Sequence, residues 1–168
     1  MMNALLAGLV WSLMWMLYVF IIMHFFPWEM LHDYPEDIKK ASTLEKPSAK
    51  KNAAGKITGA LLSLVILGFL ICSPLWQFSG AKASFITIFI YLLVVTMSWN
   101  VIDLLIVDFL VLCTITPKFM VFPGTEGCRG YKDYWFHFKG FLIGILYSAL
   151  MALIFAGIDF ALLTFLIW

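Results

Sequence analysis

The run from Ala4 to Phe26 carries no charged side chain, and it is long enough to cross a hydrocarbon layer roughly 30 Å thick, which takes about 20 helical residues. Three more apolar runs follow, at about residues 57–76, 84–113 and 137–166. Lipid offers no partner to backbone N–H and C=O groups, so a spanning segment must satisfy them within itself, and helices do this. Only 12% of the residues are charged and mean hydropathy is +0.97, against about 25% charged in soluble domains. These features predict an all-α, multi-pass membrane protein. In 168 residues there is room for a bundle of four transmembrane helices in one membrane domain.

The segments are delimited by composition. The first crossing, residues 3–26, ends at Pro27 and Trp28 and reads as a retained helix, since the first basic residue is Lys39. Residues 27–56 hold five acids and six lysines and read as a solvated connector, with a short amphipathic helix placing Ile38, Ala41 and Leu44 on one face. In the second crossing Gly55, Gly59 and Ser63 recur every four residues, which permits close helix approach, and Ser73 and Pro74 loosen its last turn. After the short link 77–83, the third run is anomalous: as a straight helix it measures about 43 Å. It therefore tilts, or breaks near Trp99 and Asn100. Residues 114–136 carry Pro117, Pro123, Gly124, Gly127 and Gly130, a density that ends the helix and suggests a turn-rich loop with a short extended Lys118–Phe122. The fourth crossing repeats small residues at Gly140, Gly144, Ser148, Ala152 and Ala156, a ridge for packing within the bundle or across a homo-oligomer.

Charge placement gives the orientation. Ten of the eleven lysines and arginines fall in the connectors 27–56 and 114–139, and Lys82 alone falls between the second and third crossings. The positive-inside bias puts those connectors in the cytoplasm and both ends on the non-cytoplasmic side of the cell (inner) membrane. The net charge of +1 leaves no basic face for nucleic acid; membrane lipids are the expected partners. Cys72, Cys113 and Cys128 have neither metal nor disulfide spacing, which predicts free thiols.

By helix rise, Asp103 and Asp108 reach the cytoplasmic boundary, together with His24, Glu126, Asp133 and His137, while Asp159 lies near the outer face, in reach of Lys82. Intramembrane acids are costly and mark sites. Asp133 and His137 are four apart and stack on one helix face, where the acid would orient the imidazole as a general base or share a metal with it. Asp103 completes this catalytic set. Asp108, on an α-helix, stands about 140° from Asp103 and faces elsewhere; Asn100 shares the Asp103 face. The turn Pro123–Gly127, containing Glu126 and followed by Arg129 and Lys132, has the permissiveness of an anion-cradling nest for a lipid phosphate, with Asn100 and Asp108 as further binding groups. Cys128 sits in this basic neighbourhood. No pattern names a cofactor or a metal.

The stretch NVIDLLIVDFLVLC, the turn PGTEG and the run GYKDYWFHFKGFLIG, covering about Asn100–Gly144, resemble a group of small four-helix bacterial membrane proteins; the resemblance implies a shared architecture and no activity. Three functions fit these residues. The first is a binding, scaffold or assembly protein. The second is a membrane-interface enzyme acting on a lipid or isoprenoid phosphate through Asp103, Asp133 and His137. The third is a small oligomeric transporter or channel coupled through Asp103.

Overall fold

A computed structural model describes residues 2–168. Those residues are helical, with no strand among them. Four helices are long and apolar enough to cross a membrane: α1 (Met2–Phe25), α3 (Ala49–Phe78), α4 (Phe85–Ile102, extended by Asp103–Ile115) and α5 (Tyr134–Leu162, extended by Leu163–Ile167). A short α2 (Glu36–Ala41) lies between α1 and α3.

Four local features depart from the sequence reading or decide between its alternatives. Helix α3 starts at Ala49, inside the presumed connector, because Ser48 Oγ accepts from Lys51 N at 3.4 Å and the following Ala, Lys and Asn residues sustain a helix in water. Pro74 does not end it: the helix runs on to Phe78. The long third segment does not break at Asn100. From Asp103 it is wound as a π-helix, with Thr116 N donating to Val111 O, five residues back, at 2.8 Å. Lys118–Met120 is a single 3₁₀ turn, not a strand.

The chain divides into two compact units. The first comprises Met1–Trp15, Leu64–Ile102 and Phe141–Trp168, and its only formally charged side chains are Lys82 and Asp159. Its core is aromatic and close-packed. Trp11 lies 5.9 Å from Trp15 and 6.4 Å from Phe69, and Trp15 stacks on Trp99 at 6.1 Å. The small-residue ridge of α5 works inside this unit: Gly144 abuts Asn100, Ser148 O accepts from Thr96 Oγ1 at 3.1 Å, and Ala152 and Ala156 are fully buried. Gly140 belongs to the other unit, and a Cβ there would meet nothing.

Gly8, which no spacing singled out, makes a close helix crossing in the first unit. A Cβ at Gly8 would overlap Ser98 Oγ and lie 2.8 Å from Ser98 Cβ. Since Cβ cannot rotate away, the helices must part. Gly8→Ala is expected to cost about 1–3 kcal/mol, read as thermal unfolding in detergent, and the same change in a Ser98→Gly background to cost much less. Equal losses in both backgrounds would refute the crossing.

The second unit comprises Met16–Ser63 and Asp103–Gly140 and holds ten of the eleven lysines and arginines and nine of the ten acids. In it Gly55 lies against Phe26 and Glu29, and Gly59 against Tyr18.

Candidate functional site

The connectors of the second unit form one ordered cap. Thr43 N donates to Pro123 O at 2.8 Å, and Gly130 N to Asp37 Oδ2 at 2.8 Å. Between them is a buried aromatic core. Tyr34 lies edge-on to Phe122 at 4.8 Å and to Tyr131 at 6.0 Å, with Ile38 and Met120 fully or nearly fully buried beside it. The Tyr131 hydroxyl accepts from Phe122 N at 3.0 Å and is 2.7 Å from Thr125 Oγ1, whose own 2.6 Å bond goes to Phe122 O. Sequence reasoning missed Tyr34, Asp37, Thr125 and Tyr131. The available signal was an aromatic and Ile38 within a charged stretch.

Beneath this cap Asp108 Oδ1 accepts from His137 Nδ1 at 3.0 Å, with the side chains 21% and 7% exposed. His137 Nε2 is buried and has no hydrogen-bond partner. This pairing replaces the expected one with Asp133. Asp133 Oδ1 accepts from Phe136 N at 2.9 Å, capping the first turn of α5, and a cap folded over its own helix end does not reach a side chain one turn on. The π-winding also corrects the position of Asp108. Bonds from i to i+5 stack residues five apart, so Asp103 and Asp108 share a face that an α-helix would have denied them. The carboxyls of Asp33, Asp103 and Asp108 are within electrostatic reach of one another.

Two donors of the Pro123–Gly127 turn and its neighbour are used internally. Thr125 N and Cys128 N close turns onto Phe122 O and Thr125 O, around Gly124 (φ 79°) and Gly127 (φ 86°). Lys132 Nζ donates to Cys113 O at 2.5 Å, Thr114 O at 3.1 Å and Thr116 Oγ1 at 2.7 Å. Those bonds use all three ammonium donors on the open C-terminus of the π-helix, where the helix dipole also favours a cation. They hold Thr116, a β-branched residue, at φ 50°. Glu126 and Arg129 are exposed. A cavity of about 490 Å³ lined by Thr116, Lys118, Glu126, Cys128, Tyr131 and Lys132 remains, with Lys118 its uncommitted amine.

Asn100 belongs to the first unit, where its Nδ2 donates to Phe141 O at 3.2 Å. Asp159 does not pair with Lys82; it is fully buried with both oxygens unpartnered, and Lys82 is exposed. Among the described residues no three His, Cys, Asp or Glu side chains are grouped to hold a metal ion.

Asp33 reports on the acidic cluster. Although its side chain is 56% exposed, partial desolvation raises its carboxyl above the ordinary value of 3.8, a shift that solvent screening keeps small; His32 and Lys39 oppose the rise and Asp108 adds to it. The folded chain therefore holds this proton more tightly than the unfolded chain, so stability falls as pH rises from 3.8 through the raised value and is level above it. Asp33→Asn is expected to flatten that acid-side slope in thermal melts. An unchanged slope would exclude the contribution.

No family model, curated protein or solved structure matches the chain.

Proposed function

We propose that this chain is a binding, scaffold or assembly protein of the cell (inner) membrane, with both ends outside and the cap in the cytoplasm, sharing the architecture of the small four-helix bacterial membrane proteins that its Asn100–Gly144 stretch resembles. The concentration of ten cations in the second unit supports the orientation. One observation carries the functional reading: Asp37, Asn100, Lys132 and Asp133 are each bonded to backbone of this same chain. Such bonds make a rigid platform. The enzyme reading needs a nucleophile or activated water beside a base, and the His137 nitrogen that would serve is enclosed.

The reading is tested by crosslinking in native membranes and by electrophoresis in mild detergent. The 19.2 kDa chain is expected in complexes larger than itself, with Cys128 labelled by an impermeant maleimide in inverted vesicles and not in right-side-out ones. A solitary chain under both conditions overturns the assembly role, and the reverse labelling overturns the orientation.

A further inference from the structure

We propose that Asp159 is a proton-binding site in the core of the apolar first unit, taking up and releasing a proton where no ion pair is formed. The proposal concerns a different unit from the cap and does not depend on the assembly role.

Asp159 lies on the most enclosed stripe of α5. Ser148, Ala152, Ala156, Asp159 and Leu163 follow at helical spacing, and all but Ser148 are at 0% exposure. The carboxyl thus points where register calls for a small or apolar side chain, and it does not reach toward water. Both oxygens lack a hydrogen-bond partner. Of the buried hydroxyls of the unit, Ser12 donates to Gly8 O and Thr96 to Leu92 O and Ser148 O. The partly buried Ser98 donates to Val94 O, and Ser73 Oγ, itself without a partner, makes no bond to Asp159.

No cation of the unit serves it either. Lys82, the only lysine or arginine among the described residues of the unit, is exposed in the link between α3 and α4. Of the other titratable side chains, Cys72 and Tyr147 are exposed, and Tyr91 lies edge-on to Phe78 at 5.5 Å. An ionised carboxylate so placed has neither solvent nor counter-charge, and burial of that kind is relieved by binding a proton. A structural role needs a partner for the group to hold, and none is present among the described residues. A fixed negative charge would need a cation. The proton is the ligand that fits one unpartnered carboxyl in an apolar core.

The test uses the full chain in liposomes and dicyclohexylcarbodiimide, an apolar reagent that needs a protonated carboxyl: the acid protonates a carbodiimide nitrogen, the carboxylate oxygen adds to the central carbon, and rearrangement leaves an N-acylurea of added mass. Labelling at Asp159, located by peptide mass spectrometry, is expected to fall about tenfold or more between about pH 5 and about pH 9. A carboxylic C=O infrared band should fade over the same range and be missing from Asp159→Asn, whose melting should show the isosteric amide still folds. Labelling or a band that ignores pH would make Asp159 a permanently neutral structural acid and overturn the proposal. So would protection by Na⁺ at fixed pH, which marks a sodium site, or modification of Asp103 or Asp108 with Asp159 untouched. Should Asp159→Asn fail to fold, the pH course of labelling in the unaltered chain decides alone.

Discussion

Gly124→Val is expected to open the cap and destabilise the protein by about 3 kcal/mol. Two costs combine at this position. The backbone stands at φ 79°, where an L-residue pays for the approach of its Cβ to the following carbonyl and a β-branched one pays more. The new Cβ would also lie 2.9 Å from Thr43 Cγ2 and Oγ1 and 3.0 Å from Ala41 O. Thr43 can rotate, but the carbonyl of Ala41 ends α2 and cannot. The strand of chain carrying Gly124 must therefore withdraw, taking with it the adjacent bond from Thr43 N to Pro123 O. The damage should be local first, since the first unit keeps its own aromatic core. Faster tryptic cleavage at Lys50 and Lys51 and faster maleimide reaction at Cys128, preceding any loss of overall helix content, would show it. Gly124→Ala should fall between the two. Wild-type cleavage and labelling rates in Gly124→Val would mean the two connectors are not joined.

The four long helices could be read from the chain because the signal is bulk composition over about 20 residues, which needs no knowledge of what packs against what. The small-residue ridge was legible for the same reason: period alone exposes it. The cap was not. Six lysines and five acids between residues 29 and 56 read as solvated, and their number concealed Tyr34, which packs on Phe122 and Tyr131 some ninety residues away, while Ile38 read as the apolar face of a surface helix and is fully buried. Lys132 failed for a related reason. A lysine near glycines resembles an anion site until the carbonyls of Cys113 and Thr114 are placed under its ammonium. The partner of His137 was misread on helical period. Position 133 is one turn away and position 108 is on another helix, and a π-helix has no residue signature that would have turned Asp108 toward Asp103.

Breaking the Asp108–His137 pair is expected to be the second large loss. Removing one member of an enclosed pair leaves the other with its desolvation cost and no compensation, so His137→Ala and Asp108→Ala should each cost about 3 kcal/mol. The partial exposure of Asp108, 21% at the side chain, puts the effect at the lower end of such losses. The double variant should cost less than the two singles added, by about 1–2 kcal/mol, because once one partner is gone the other has nothing left to lose; strict additivity would show that the 3.0 Å contact contributes nothing. The two acids should also respond differently. Asp103, on the same face, does not share the imidazole, so Asp103→Asn should cost less stability than Asp108→Asn. In a scaffold, complex formation in native membranes should fall in step with the melting temperature across this set. An Asp103→Asn chain that melts like the parent yet no longer assembles would move the interface onto the acidic cluster itself.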